Sequence, residues 1–388
     1  MKKIAIITAT RAEYGLLSPI IKQLRGYENE NFITELIVTG THVSPNYGNT
    51  INEIIADGFR IDEVISIPVE SESEISISNN QATTLIEFTQ LFVQKRYNSI
   101  VLLGDRYEML SIAIAAGNTR TPIFHISGGD TTEGAIDEWI RHSITKMSYL
   151  HFTTNWQSRN RVIQMGENPS RVFNYGSTSI DNIINLSNLD YLEVLNSIGL
   201  ENGPYAICTY HPVTMEKSDI ELQVYNFLNA LKMYPQITFI VTKSNSDQGG
   251  SKINSILDIE QTNIKNLHVF SSLGVRKYLS LMKHSLFVLG NSSSGIVETP
   301  AFHIPTINVG NRQRGRLQSD SIINCDSDTK SIVAAIRVAL DDNFRTKCQK
   351  TVSVYGEGNA AEQIAKKMFE VVNSDLIDLK KKFYDISV

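Results

Sequence analysis

The sequence predicts an α/β fold of two Rossmann-like, doubly wound domains with a central cleft. Three observations favour this fold class. Short runs rich in Val, Ile and Leu alternate with amphipathic stretches, the runs are continuously apolar as in buried parallel strands, and their carboxyl ends carry Gly, Asp or Ser. The alternation stops at a polar stretch near 185–204 and then restarts, and 388 residues suit two domains of average size.

The apolar runs of the first half predict parallel strands separated by helices. We expect strands at 4–9, 36–39, 64–67, 99–105, 122–127 and 149–155. We expect helices around 16–24, 50–57, 81–95, 108–116, 134–147 and 156–165, where apolar residues recur at helical spacing. Charged residues follow the first apolar run at once, which indicates a strand rather than a signal peptide.

The second half of the chain repeats the pattern. We expect strands at 205–212, 237–244, 267–272, 286–293 and 306–310, with helical segments between them. A last amphipathic helix is expected at 359–373, before a Lys-rich tail. The predicted division is a first domain over 1–185, a second over 186–358, and a C-terminal helix and tail over 359–388.

Composition and charge exclude several classes of protein. With 41% hydrophobic and 20% charged residues, the chain has the composition of a soluble globular protein. Its net charge of −5 gives no overall attraction to nucleic acid or to an anionic membrane, and no stretch approaches the roughly 20 apolar residues of a membrane span. Three distant cysteines argue against a disulfide framework or a zinc site and favour a reducing compartment, so we expect a cytoplasmic protein.

Residues that could perform chemistry gather at the carboxyl ends of the predicted strands, where ligands bind in doubly wound sheets. They are Arg11, Asp105, Arg106, Asp130, His211, Asn245 and the stretch "GNSSSG" at 290–295. If the two domains face one cleft, these residues converge there. Such convergence supports a site more strongly than any single motif does.

The stretch "GNSSSGIVE" predicts an anion site. Ser292 and Ser293 stand at a strand end and at the start of a helix, where unpaired N–H groups and the helix dipole attract phosphate. An ordinary serine N-cap is the alternative, although it explains one serine and not three. Glu298 lies one turn further on and could bind ribose hydroxyls or be only a solvated helix residue. Three arginines of "GNRQRGR", including Arg312, follow the next strand and could clamp a pyrophosphate.

The stretch "HISGGDTTEGAIDEWIRH" at 125–142 carries unusual acid–base capacity. Structural roles are one explanation, but a pair such as Asp137 with Arg141 adds only about 0.3–0.5 kcal/mol on an exposed helix. Asp105 is different, because a carboxylate at the end of a strongly apolar strand indicates a polar cleft. The chain has neither a Walker A nor a G-x-G-x-x-G sequence, and its carboxylates lack calcium-loop spacing, so no cofactor or metal is expected.

The motifs resemble those of a known family when they are taken in order. "TRAEYG", "YGNT", "GDRYE", "DEWIRHSITKMS", "HPVT", "GNSSSG" and "NVGNRQRGR" occur in this sequence over roughly residues 8–316. Together they resemble the hydrolysing UDP-N-acetylglucosamine 2-epimerases, which serve the synthesis of sialic acids and related sugars. The resemblance implies a glycosyltransferase-B arrangement in which the C-terminal helix returns to the first domain, and an assembly of two or four copies.

The resemblance also implies roles for individual residues. The UDP contacts fall on Arg11, Arg106, His211, Asn245, Ser292, Ser293, Glu298 and Arg312. The acid–base carboxylates fall on Asp105 and Asp137, and we include His211 and Asp130 among the candidate catalytic residues.

Two comparisons with the family pattern bear on the chemistry. The non-hydrolysing branch carries a His-Val-Glu-Ala-Gly stretch where this chain has "HISGGD", which favours the hydrolysing branch. Ser127 stands where an acid or a histidine is usual in the family, and a serine is a poor general acid or base near neutral pH. Either Asp130 or Glu133 supplies the missing function, or the chain prefers a different substrate.

These observations predict an enzyme that converts UDP-N-acetylglucosamine and water into N-acetylmannosamine and UDP, by elimination to a glycal and rehydration, without a cofactor. A UDP-N,N′-diacetylbacillosamine 2-epimerase of the legionaminic acid pathway is the alternative, because the sequence does not identify the pocket for carbon 4. A glycosyltransferase of the same fold would need an acceptor for the sugar. A non-catalytic UDP-sugar binding protein would have no use for Asp105 and Asp137. No nucleic acid or membrane partner is expected.

Overall fold

The computed structural model describes residues 1–69, 73–132, 136–186, 188–213, 219–244, 249–374 and 376–386. Contacts divide the chain into two units. Unit 1 comprises Met1–Asp130, Asp137–Asp181 and Tyr355–Val388, and unit 2 comprises Thr131–Ile136 and Asn182–Val354. Apart from the short segment 131–136, the divisions fall after Asp181 and after Val354. The boundaries predicted from the sequence are after 185 and after 358.

Strands and helices alternate along most of the described chain. The strands are β1 (Lys2–Thr8), β2 (Phe32–Thr39), β3 (Glu63–Ile65), β4 (Ser99–Leu103), β5 (Ile123–Ile126), β6 (Leu150–Thr153), β7 (Val172–Asn174), β8 (Tyr205–Thr209), β9 (Thr238–Thr242), β10 (Leu267–Phe270), β11 (Val288–Gly290), β12 (Thr306–Val309) and β13 (Ile322–Cys325). The helices are α1 (Arg11–Arg25), α2 (Ile51–Ala56), α3 (Glu74–Lys95), α4 (Tyr107–Asn118), α5 (Asp137–Met147), α6 (Trp156–Gln164), α7 (Thr178–Leu186), α8 (Tyr191–Ser197), α9 (Ile220–Lys232), α10 (Gly250–Glu260), α11 (Gly274–His284), α12 (Ser293–Val297), α13 (Thr329–Leu340), α14 (Asp342–Cys348) and α15 (Ala360–Asn373). None of these described helices is both long enough and apolar enough to cross a membrane.

Unit 1 contains a parallel sheet whose described strands run in the order β3-β2-β1-β4-β5-β6-β7. Alternate residues of β1 face opposite sides of this sheet. Ile4 and Ile6 pack with α1 and α15, and Ala5 and Ile7 pack with α3 and α4. Helices therefore cover both faces, which explains the continuous apolar run. The strand order reverses between β1 and β4, so the carboxyl ends of these strands border a topological switch point.

Unit 2 contains a second parallel sheet, with the described strands in the order β10-β9-β8-β11-β12-β13. Ala206 and Cys208 of β8 pack with α9 and α13, and Tyr205 and Ile207 pack with α8 and α11. The switch point of this sheet lies between β8 and β11. The prediction of two doubly wound α/β domains is confirmed.

The structure also contains elements that the sequence patterns did not predict. β7 and β13 are short and only partly buried, so they lack a continuous apolar run. The polar stretch near 185–204 contains α8, which Asp190 caps by accepting hydrogen bonds from the N–H groups of Leu192 and Glu193. The helix expected from 134 begins at Asp137, because Ile136 is in a turn, and 133–135 lie outside the described residues.

The C-terminal segment folds as part of unit 1. α15 packs against α1, and the Tyr27 ring, just after α1, stacks on Phe369 with 4.7 Å between the ring centroids. Beyond α15, Lys381 forms an ion pair with Glu167, with 2.7 Å between Nζ and Oε2. Hydrogen bonds from His151, Lys146 and Lys381 outweigh the effect of burial and lower the pKa of Glu167 to about 2. The buried carboxylate is therefore a fixed anchor for the tail.

Candidate functional site

The loop after β1 presents Arg11 at the first position of α1. Thr10 and Glu13 form a capping box. The Thr10 hydroxyl accepts a hydrogen bond of 3.3 Å from the Glu13 N–H, and Oε2 of Glu13 accepts from the N–H groups of Ala9 (2.8 Å) and Thr10 (3.1 Å). Burial, reinforced by the nearby Glu108 carboxylate, raises the pKa of Glu13 to about 7. The box fixes the start of the helix and with it the backbone of Arg11.

The loop after β4 carries Asp105 and Arg106. Gly104 has a φ of +81°, a conformation that glycine adopts without strain. Arg106 immediately precedes α4, and its Nε donates a hydrogen bond of 2.8 Å to Oε1 of Glu108, which is buried. The guanidinium carbon also lies 5.6 Å from the centroid of the Tyr107 ring. Glu108 and Tyr107 therefore hold the Arg106 guanidinium in a defined orientation.

Arg141 joins Asp105 to α5. Its side chain is 4% exposed, and its Nη2 forms an ion pair with Oδ2 of Asp105. Its Nη1 donates a hydrogen bond of 2.8 Å to the carbonyl of Asp130 and lies 3.8 Å from Oε2 of Glu138. Because α5 begins at Asp137, one arginine ties the strand-end carboxylate to the helix that carries the second predicted carboxylate.

His125 is a structural residue. It is fully buried in β5, where its Nε2 faces the carbonyl of Gly104 at 2.9 Å and its Nδ1 faces Oγ1 of Thr145 at 3.2 Å. Burial lowers the pKa of His125 to about 3, so the ring is neutral near pH 7. A Cβ at Gly128 would lie 2.9 Å from Nδ1 of His125. The Gly-Gly turn thus leaves room for a histidine that supports the backbone before Asp105.

Asp130 is tied to the N-terminal end of α6. Its Oδ1 accepts hydrogen bonds from the hydroxyls of Thr154 (2.7 Å) and Ser158 (2.5 Å) and from the side-chain amide of Asn155 (3.5 Å). The residue is buried. Several donors on one buried carboxylate oxygen stabilise the loop against the helix. An acid–base role for Asp130 stays a prediction.

Ser127 adopts an unusual backbone conformation. Its φ is +63°, in the left-handed region that residues other than glycine rarely adopt. Its N–H donates a hydrogen bond of 2.8 Å to the carbonyl of Phe152, which holds the turn after β5 in place. Strained backbone of this kind clusters at functional sites. Glu133, one of the two residues expected to compensate for this serine, lies outside the described residues.

In unit 2, the three serines after β11 differ in the hydrogen bonds that they form. Ser292 is the N-cap of the short helix α12, and its hydroxyl accepts a hydrogen bond of 3.3 Å from the N–H of Ser294. The Ser294 hydroxyl donates to Oε2 of Glu298. The ordinary N-cap therefore accounts for Ser292, and Glu298 is oriented by its own helix. Ser293 is the first residue of α12.

His211 and Arg312 follow two strands of the same sheet in unit 2. His211 comes after β8, is buried, and has its Nδ1 3.1 Å from Oγ of Ser244. Arg312 comes after β12, and its Nη1 donates a hydrogen bond of 3.2 Å to the carbonyl of Asn291. Asn245, the remaining predicted UDP contact, lies outside the described residues. The UDP roles of the residues in this sheet stay predictions.

Glu13 and Arg141 are among the residues of these networks that were not assigned to the site from the sequence. Glu13 could have been found from the T-x-x-E pattern at 10–13, which is typical of a capping box. Arg141 was considered only as a helix partner of Asp137, because its contact with Asp105 depends on tertiary structure. In the part of the chain that the structure describes, no group of three or more His, Cys, Asp or Glu side chains is arranged to hold a metal ion.

Comparisons with known proteins give similar chains along the whole length. A protein-family model described as UDP-N-acetylglucosamine 2-epimerase matches residues 25–369. The chain is 37% identical over 388 residues to "GDP/UDP-N,N'-diacetylbacillosamine 2-epimerase (hydrolyzing)" of Campylobacter jejuni, with 99% of each chain covered. It is 36% identical over 396 residues to "Polysialic acid biosynthesis protein P7" of Escherichia coli, with 100% of this chain and 98% of the relative covered. The crystal structure of UDP-GlcNAc 2-epimerase from Neisseria meningitidis bound to UDP-GlcNAc has a similar fold, with a TM-score of 0.80 and 18% identity over 95% of this chain and 100% of that one.

Proposed function

As the chain belongs to the UDP-N-acetylglucosamine 2-epimerase family, we propose that it is a hydrolysing member, which converts UDP-N-acetylglucosamine and water into UDP and N-acetylmannosamine. The observation that carries the proposal is the similarity, over nearly the whole chain, to a relative whose name specifies the hydrolysing reaction. The name of the E. coli relative refers to polysialic acid biosynthesis, which supports a place in the synthesis of sialic acid-type sugars.

We assign UDP binding to strand-end residues of both units. Arg11 and Arg106 of unit 1 and Arg312 of unit 2 supply guanidinium groups to the pyrophosphate. The other proposed contacts are His211, Asn245, Ser292, Ser293 and Glu298. Fixed donors stabilise the negative charge that develops on UDP as it leaves, so the same contacts serve binding and catalysis.

The proposed chemistry removes one proton at carbon 2 of the sugar and returns one on the opposite face. No ketone adjoins carbon 2, so direct abstraction of its proton is implausible. When the bond from carbon 1 to the UDP oxygen breaks, its electron pair leaves with UDP, and the positive charge on the ring makes the carbon 2 proton removable, which gives a glycal. Water then adds across the double bond: its hydroxyl bonds to carbon 1, and carbon 2 receives the new proton.

Asp105 and Asp137 carry these protons in the proposed mechanism. Asp105 is suited to the role because the ion pair with Arg141 orients its carboxylate. Asp137 is suited to it because it begins α5, the helix that also carries Arg141. Acid–base groups of this kind contribute about 10²- to 10⁴-fold to a rate.

UDP-N,N′-diacetylbacillosamine is the second candidate substrate, because the C. jejuni relative is named for it. The reaction at carbon 2 is the same for both sugars, so kcat/KM measured with each UDP-sugar discriminates between them. A glycosyltransferase would release UDP only when an acceptor is present. A non-catalytic binding protein would bind the UDP-sugar and release no UDP.

Reaction of UDP-N-acetylglucosamine in D₂O tests the proposal. Without an added cofactor or metal, we expect the first N-acetylmannosamine released to carry one deuterium on carbon 2, as read by NMR or mass spectrometry. Release of unlabelled N-acetylglucosamine would mean simple hydrolysis of the sugar–phosphate bond. Accumulation of a UDP-linked epimer would assign the chain to the non-hydrolysing branch.

Asp137→Asn and Asp342→Asn form a matched pair for the acid–base role. Asp137 is the first residue of α5 and Asp342 is the first residue of α14, so each substitution removes the same charge from the same helix position. We expect Asp137→Asn to lower kcat by about 100-fold or more with UDP affinity retained, and Asp342→Asn to retain both. Equal turnover by the two variants would remove Asp137 from the chemistry.

A further inference from the structure

We propose that Asn291 is a positioning residue that holds together three loops of the proposed UDP site. This inference rests on the proposed function and deepens it. Asn291 lies between β11 and α12 and is 1% exposed. Its backbone N–H, its carbonyl and both polar atoms of its side chain form hydrogen bonds within unit 2.

The Asn291 side chain pairs with the backbone of His211. Its Oδ1 accepts a hydrogen bond of 2.7 Å from the His211 N–H, and its Nδ2 donates one of 2.8 Å to the His211 carbonyl. One carboxamide thus satisfies both polar backbone groups of a single buried residue, as a neighbouring strand would. Aspartate lacks the donor and alanine lacks both groups, so the pairing is specific to an amide at this position.

The Asn291 backbone extends the same network to the loop after β12. Its carbonyl accepts hydrogen bonds from Nε2 of Gln313 (2.8 Å) and Nη1 of Arg312 (3.2 Å). Its N–H donates a hydrogen bond of 3.1 Å to the carbonyl of Thr209, at the end of β8. Since Ser292 is the next residue, Asn291 connects the loops after β8, β11 and β12, which are three of the loops of unit 2 that carry proposed UDP contacts.

Gly290 fixes the approach of Asn291 to β8. Its φ is +142°, and a Cβ at this position would lie 1.9 Å from the carbonyl oxygen of Thr209. No side chain fits at that distance, so glycine lets β11 end directly against the end of β8. The backbone therefore sets the position of Asn291, and the Asn291 side chain in turn sets the position of His211.

Loss of the Asn291 amide affects UDP through His211. The N–H and carbonyl of His211 would lose their partners in a buried place, and the loop after β8 would shift to satisfy them. A small displacement of the imidazole weakens its proposed contact with UDP, because charge stabilisation depends on fixed geometry. The effect on binding is therefore separable from a general loss of stability.

Asn308 offers a matched control for Asn291. It is also buried, and it lies on the neighbouring strand β12, where it pairs in register with Gly290. Its Nδ2 donates a hydrogen bond of 2.8 Å to Oδ1 of Asn324, which has no proposed UDP role. Asn291→Ala and Asn308→Ala each delete one buried amide from adjacent parts of the same sheet.

The test combines urea unfolding with calorimetric titration of UDP. We expect Asn291→Ala to weaken UDP binding by about tenfold or more, and Asn308→Ala by less than about twofold. In a His211→Ala background, Asn291→Ala should weaken UDP binding by less than about threefold, because the ring that it positions is absent. If Asn291→Ala does not fold, Asn291→Leu and Asn308→Leu replace the pair, since leucine keeps a similar side-chain shape and removes the amide without adding a charge.

Three results would overturn the role of Asn291. They are equal losses of UDP affinity in the Asn291 and Asn308 variants, an undiminished effect of Asn291→Ala in the His211→Ala background, and unchanged affinity in the His211→Ala variant itself. Failure of the wild-type chain to bind UDP would instead refute the proposed function. The same titrations therefore separate the two failures.

Discussion

Replacement of the buried Glu13 by glutamine tests how unit 1 accommodates a carboxylate at the start of α1. Oε2 of Glu13 accepts hydrogen bonds from the N–H groups of Ala9 and Thr10, whereas Oε1 is buried and has no hydrogen-bond partner among the described residues. Burial has the largest effect on the pKa of Glu13. Burial and the Glu108 carboxylate both raise this pKa, and Arg106 lowers it. Together they raise the pKa from 4.5 to about 7.

The raised pKa of Glu13 determines whether the free energy of unfolding rises or falls with pH. In the unfolded chain Glu13 releases its proton near pH 4.5, and in the folded chain it keeps the proton up to about pH 7. The folded state binds more protons between these values, so this contribution to the free energy of unfolding is fully present below about pH 4.5 and is lost as the pH rises through 7. One pKa unit corresponds to about 1.4 kcal/mol, which gives a loss of about 2 to 3 kcal/mol between about pH 5 and pH 8.

Urea unfolding at about pH 5, 6, 7 and 8 measures this effect. Glutamine does not titrate, so the difference in unfolding free energy between the wild type and Glu13→Gln should change by about 2 to 3 kcal/mol across the range. Glu193→Gln is the matched control, because Glu193 occupies the same third position of α8 but is exposed. Parallel pH profiles for the wild type and Glu13→Gln would refute the reasoning.

Two further substitutions test individual roles in the proposed site. Glu298→Ala should weaken UDP binding by about 10- to 100-fold in calorimetry if Glu298 accepts hydrogen bonds from ribose, and unchanged affinity in a folded variant would remove that role. Asp130→Asn should lower kcat by about 100-fold or more with little change in UDP binding if Asp130 carries protons. Turnover near that of the wild type would leave Asp130 as the anchor that its hydrogen bonds with Thr154 and Ser158 describe.

The central strands were the part of the fold that the sequence predicted best. β1 and β8 are covered by helices on both faces, so residues 4–7 of β1 and 205–208 of β8 are all apolar and buried. β7 and β13 lie at the edges of their sheets, and their side chains are only partly buried. A short edge strand needs little apolar surface, so its sequence carries no periodic signal that separates it from a loop.

The site could be predicted only in part, for a related reason. Parallel strands bring their carboxyl ends to one edge of a sheet, which is why Asp105 and His211 were found as strand-end residues. The partners of these residues, Arg141 and Asn291, are distant in sequence from them. Only the folded backbone brings such pairs together, and no local pattern encodes them. The capping box at 10–13, in contrast, depends on two residues three positions apart, so the sequence alone indicates it.

The acid–base groups of the stretch 125–142 differ in how deeply they are buried and in how many contacts they form within the fold. His125 is neutral and fully buried, and Asp130 is tied to α6, so both stabilise the loop after β5. Arg141 binds the Asp130 carbonyl and the Asp105 carboxylate together, so the loop and the strand end share one support. In the proposed chemistry Asp105 and Asp137 carry the protons on a backbone that this shared support holds in place, and an acid–base role for Asp130 stays a prediction.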